Sequence, residues 1–177
     1  MTAKAGMRDE GLRLIEDVTN EHREDANAWN AKGLIHGMRR EDEKQVECFG
    51  RASELAPNDL VFRGNYGVAL HQTGKHAEAV EVMRDALSRD PELTYLHSWL
   101  ADAFLSLNNP DEMKKELERW YGRARRQTLK FPEDEKAWEE LVLTATRLGK
   151  YEEADEAREY IRELKRDRNL LAGPGHG

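Results

Sequence analysis

His71 and His76 flank the short segment Thr73-Gly74-Lys75, and a pair of imidazoles is the first place to look for metal chemistry. Five residues of separation and no third donor nearby make a thin metal site, because zinc asks for three or four ligands. Cys48 is the single cysteine. It adjoins Phe49 in an apolar stripe and reads as packing rather than as a nucleophile. One thiol supports neither an internal disulfide nor a CxxC pair, which fits a reducing compartment and a cytoplasmic location. Carboxylates are abundant, 35 Asp and Glu in 177 residues. They fall on polar helix faces, where nothing lifts a pKa toward acid–base work. No glycine-rich loop follows a strand to cradle a phosphate. The expectation is a chain that is not an enzyme, with no catalytic residue, no metal and no cofactor.

Cations gather in one place. Lys115, Arg119, Arg123, Arg126 and Lys130 recur at steps of 4, 4, 3 and 4, a single helical stripe. Residues 111–130 hold seven basic and four acidic side chains inside a chain of net charge −7. Such a stripe either docks an acidic partner or nucleic acid, with Tyr121 near for stacking, or is a solvated outer face. The net negative charge argues against wholesale nucleic-acid or anionic-membrane binding. Met1 to Asp9 lacks the apolar core of a signal peptide, and no run approaches the ~20 apolar residues of a membrane span.

The elements that carry these side chains repeat along the sequence. Gly33, Gly67 and Ala101 are spaced by 34 residues, as are Phe49, Met83 and Leu117. Ala52, Ala86 and Trp120 keep the same interval, and Pro57 and Pro91 do too. Gly74-Lys75 and Gly149-Lys150 are 75 apart, two periods plus seven, and Pro91 to Pro132 is 41, one period plus seven. One insertion of seven residues between Leu117 and Pro132 accounts for both, and seven residues are two helical turns with ~20° of drift. Within each period an apolar helical face, as at Trp29, Gly33 and His36, is followed by a turn and a second face that ends at a proline. Leu12, Ile15 and Val18 form a solitary amphipathic helix that would cap the first hairpin. A charged share of 36% suits a one-layer stack better than a compact sphere.

Trp29-x-x-Lys32-Gly33-x-x-His36, then Phe49, Ala52 and Pro57, resembles the tetratricopeptide pattern. The run Gly149-Lys150-Tyr151-Glu152-Glu153-Ala154 is similar to that family's turn between helices. The resemblance implies an all-α fold, a right-handed α-solenoid of helical hairpins. It sets a capping helix at 1–25, repeats at 26–59, 60–93, 94–134 with the insertion, and 135–171 with the C-terminal helix, and a disordered tail at 172–177. Lys32 departs from the usual Leu, its stem able to lie on apolar surface. Trp120 departs from a small residue and predicts looser stacking between there and Pro132.

The resemblance further implies that the first helix of each repeat lines a groove for a peptide or helix of a partner protein. The lining positions are Asn27, Asn30, Leu34 and Met38, then Asn65, Val68, His71 and Gln72, then Tyr95, Ser98, Trp99, Asp102 and Leu105. Amides can bond a peptide backbone and aromatic anchors supply interface energy. The subset of the family that clamps a chaperone's terminal carboxylate does so with paired Lys, Asn and Arg, and those positions here read Asn30, Leu34, Asn65, Tyr95 and Trp99. Only Asn65 fits that clamp, and a carboxylate buried there without a cation is costly. Self-association through a terminal seam of Tyr151, Ile161 and Leu164 is a further reading.

Overall fold

A computed structural model describes residues 2–171, with side chains from 10 to 170. The tail at 172–177 lies outside the described residues. Among the described residues the secondary structure is entirely helical: α1 (Thr2–Glu21), α2 (Ala26–Met38), α3 (Asp42–Leu55), α4 (Leu60–Gln72), α5 (His76–Arg89), α6 (Tyr95–Ser106), α7 (Pro110–Lys130), α8 (Glu135–Arg147) and α9 (Tyr151–Leu171). They fall into two compact units, Met1–Asn109 and Pro110–Gly177.

In the first unit each helix packs on the next, and α4 also touches α6. Gly33 and Gly67 explain how α2 and α4 approach the helices that follow them. A Cβ on Gly33 would sit 2.6 Å from the Phe49 ring of α3, and one on Gly67 2.6 Å from Met83 Cγ of α5. Two positions one period apart therefore face two side chains one period apart. Phe49, Ala52, Leu70, Met83 and Ala86 are buried, as are Leu96 and Leu100 of α6. On α1 the buried turn differs from the expected one. Leu12 and Ile15 are half-buried, but Val18 is 38% exposed and Thr19 takes the inner place. The Thr19 hydroxyl is satisfied within its own helix, donating to the Ile15 carbonyl at 2.8 Å. A helical face advances by three and four residues in turn, so the seam passes from 15 to 19.

The second unit joins α7 to α8 and α8 to α9. Its core holds Tyr121, Ala124, Leu141, Ala145, Ala154 and Ala157. Trp120 is buried but is not part of that cluster. The small residue of α7 in that core is Ala124, one turn further along the helix. Helix α7 has 21 residues against 14 in α3 and in α5.

Helix ends carry much of the regularity. Asp25, Asp59 and Asp134 cap α2, α4 and α8, the first two carboxylates accepting from two backbone N–H groups of the first turn and Asp134 from that of Lys136. At the other end, Arg40, Gly74, Asn108 and Gly149 all have positive φ, 59°, 84°, 53° and 75°. In each case that residue's N–H donates to the carbonyl three back, and the next N–H reaches the carbonyl five back. Examples are Gly74 to His71 at 3.0 Å and Lys75 to Leu70 at 2.9 Å. This is the Schellman closure, which satisfies carbonyls that a helix end leaves orphaned. The four positions follow the 34-residue period, with seven added before the last.

Candidate functional site

The lining positions of α2, α4 and α6 all belong to the first unit, and several meet. Asn65 Nδ2 donates to Asn30 Oδ1 at 3.0 Å, tying α4 to α2 through amides. The remaining amide hydrogens and lone pairs of such a pair stay available to a peptide backbone. Trp99 of α6 stands edge-on to His71 of α4, ring centres 5.9 Å apart and planes at 64°. His71 in turn lies 4.8 Å from His76 of α5, the two Nδ1 atoms 3.0 Å apart. A contact between two imidazole nitrogens at that distance needs one ring to donate and the other to accept. Burial pushes the His71 imidazole below its ordinary value of 6.5, His76 adds to this, and Asp102 opposes it. His71 is thus biased toward its neutral form. Among the described residues no three His, Cys, Asp or Glu side chains form a metal-binding group.

Tyr95 is 39% exposed, its hydroxyl seated over Gly64, where a Cβ would clash. Burial raises its phenol above the usual value. Leu34, Met38 and Leu105 are 47%, 60% and 59% exposed. Asn27 and Gln72 are exposed too, and Val68, Ser98 and Asp102 are half-buried. The face is therefore amide and aromatic at its centre, with exposed aliphatic side chains beside them. The two cations on these three helices turn elsewhere. Lys32 Nζ lies 3.5 Å from the Thr19 hydroxyl, and Arg63 pairs with Asp85 of α5 at 2.5 Å.

The basic stripe of α7 is less open than its spacing suggests. Lys115 pairs with Glu112 at 2.7 Å and Arg119 with Glu116 at 3.2 Å. Glu116 is itself buried, so Arg119 serves as its counter-ion. Arg123 is half-buried, Arg126 and Lys130 are exposed, and Lys130 Nζ lies 5.0 Å from the Phe131 ring centre. Of the terminal seam, Tyr151 is exposed, while Ile161 and Leu164 are half-buried.

Of the two buried groups read as packing, His36 gains a partner invisible in sequence. His36 meets Glu41 at 2.7 Å, and Glu41 also takes Arg39 at 2.8 Å and Lys44 at 3.1 Å. Bonds from Arg39, Lys44 and His36 hold the Glu41 carboxyl down at about 2. Burial pushes the Cys48 thiol up to about 11, which leaves it protonated and unreactive at neutral pH.

Residues 62–93, spanning most of α4 and all of α5, match the model of the tetratricopeptide repeat. The chain thus contains a tetratricopeptide repeat in that stretch. It is similar to the small glutamine-rich tetratricopeptide repeat-containing protein 2 of Mycosarcoma maydis, 34% identical over 61 residues. That match covers 34% of this chain and spans only 17% of the length of the curated relative. Among solved structures, a set of nearly identical TPR-like repeats from a putative kinesin light chain of Podosopora anserina superposes with a TM-score of 0.71. It is 16% identical and covers 94% of this chain and 91% of that one. MamA from Desulfovibrio magneticus RS-1 gives a TM-score of 0.62 at 18% identity, covering 93% and 89%. The fold of this chain is thus that of TPR-like helical repeats. No helix among the described residues is long and apolar enough to cross a membrane.

Proposed function

We propose that the chain is a non-catalytic interaction scaffold that holds an extended or helical segment of a partner protein along the shared face of α2, α4 and α6. The observation that carries this reading is the continuity of that face. The Asn30–Asn65 amide pair leads to the His71–Trp99 contact and to Tyr95, with Leu34 and Leu105 exposed alongside. Aromatic side chains held in place by neighbours make good anchors because little rotamer freedom is left to lose on binding. The amides offer donors and acceptors to a peptide backbone. The α7 stripe supports the acidic-partner reading less well, since Lys115 and Arg119 already serve Glu112 and Glu116.

Affinity capture from the source cell with the wild type and with Tyr95→Ala/Trp99→Ala tests the groove, circular dichroism confirming that the variant is folded. Partners lost by the folded double variant support it. An unchanged set of partners removes this face as the site.

A further inference from the structure

A second recess lies on another flank of α2, where α2, α3 and α4 leave a cleft of about 380 Å³ between them. Trp29 and Tyr66 both line it, with Glu47, Gly50, Arg51 and Glu54 of α3. Both rings are fixed. The Trp29 indole N–H donates to the Arg23 carbonyl at 2.9 Å, and the Tyr66 hydroxyl donates to Glu78 at 3.0 Å. Gly50 clears the room between them, since a Cβ there would press to 3.3 Å from the Tyr66 ring.

Charge around the cleft is unbalanced. Arg51 is shared between Glu54 at 3.2 Å and Glu24 at 3.5 Å, while Glu47 has no ion-pair partner among the described residues. Glu47 and Glu54 line the recess, with Glu24 behind them on Arg51 and Glu78 on the Tyr66 hydroxyl, against Arg51 and Lys32. The Tyr66 phenol is raised first by burial and then by Glu78 and Glu54, two of these same carboxylates. One of the rings already attracts a cation: Lys32 Nζ lies 5.2 Å from the Trp29 centroid.

We infer that this cleft is a docking site for a basic side chain of a partner protein, an arginine in preference to a lysine, laid against Trp29 or Tyr66 with its charge answered by Glu47 and Glu54. A planar guanidinium can stack on an aromatic face and still present N–H groups edgewise to carboxylates, whereas an ammonium is a compact, strongly hydrated point charge. The site does not depend on the α2, α4 and α6 face.

The test uses the full chain, labelled with nitrogen-15. The probes are blocked glycine pentapeptides with a central arginine, lysine or glutamine, at matched sodium chloride. Saturable shifts of the Trp29 indole N–H and the Gly50 amide are expected with arginine, weaker ones with lysine and none with glutamine. Glu47→Gln/Glu54→Gln, two exposed changes that leave the core intact, should weaken the arginine peptide about fivefold or more. A response to glutamine equal to that for arginine overturns the proposal, as does an arginine response unaltered in the double variant. Arginine shifts centred on Trp99 instead of Trp29 overturn it too, by placing the probe in the groove.

Discussion

Gly33 and Gly67 have no side chain because the residue that would fill one has no space, a steric demand rather than a helical one. Alanine at position 67 would gain helix propensity of about 1 kcal/mol. It would also force Met83 off its place, and overpacking of this kind costs about 1–3 kcal/mol. Gly67→Ala is accordingly expected to destabilise, read as a lower urea midpoint with unchanged slope. An unchanged or raised midpoint would refute the close approach of α4 to α5. Both glycines were legible in the sequence because their spacing matched that of Phe49 and Met83. The Glu41 hub was not, since nothing in Arg39-Arg40-Glu41 says that one carboxylate will gather a buried imidazole, a guanidinium and an ammonium. The groove residues were legible by position, but the bond of Asn30 to Asn65 and the edge contact of Trp99 with His71 depend on rotamers that no spacing encodes. The Trp29–Tyr66 cleft stayed hidden for a similar reason. Its existence turns on Gly50, which keeps no visible period with the other glycines.

At the scale of elements, the ends of α2, α4, α6 and α8 share one backbone geometry but not one residue type. Gly74 and Gly149 stand where glycine is expected, and both were visible as turn signals. Arg40 and Asn108 occupy the same left-handed region, where a side chain is crowded against the following carbonyl, less so for Asn. Arg40→Gly removes that crowding, partly offset by the extra freedom of glycine in the unfolded chain. A net gain of about 0.5–1 kcal/mol is expected by chemical denaturation. Loss of stability instead would show that the Arg40 side chain contributes more than its backbone costs. The arginine was not readable as a turn former, because no side-chain property of Arg announces positive φ. The 34-residue period announces it only by analogy with position 74. The length of α7 follows the same arithmetic. Its 21 residues exceed the 14 of α3 by the seven that separate the later prolines and glycines from their expected register.

For the molecule as a whole, titration sets the range of stability. Glu41 and Glu135 have carboxyls held below their ordinary value of 4.5, the first by Arg39, Lys44 and His36 and the second chiefly by Lys165 with Arg168. The unfolded chain takes up their protons first, so this stability is complete above about pH 4.5 and is lost as the pH falls below it, the Glu41 part toward about 2. His71 is depressed as a base, so the unfolded chain also protonates it first and stability declines as the pH drops below 6.5. The phenols of Tyr66, Tyr95 and Tyr121 are raised above 10.0, so their contribution is complete below that value and fades as the pH rises beyond it. Thermal melts followed by circular dichroism should therefore show a plateau between about pH 6.5 and 10 with decline on both sides. A midpoint still rising from pH 6 down to pH 3 would contradict that assignment. Fold class was legible throughout, because an α-helical period of 34 leaves its mark on several residue types at once. The lock shared by the four helix ends is made of main-chain atoms alone. Mutational drift can rewrite the letter at such a joint and leave the joint standing, as Arg40 illustrates, so kinship among these hairpins is kept more durably in torsion angles than in spelling.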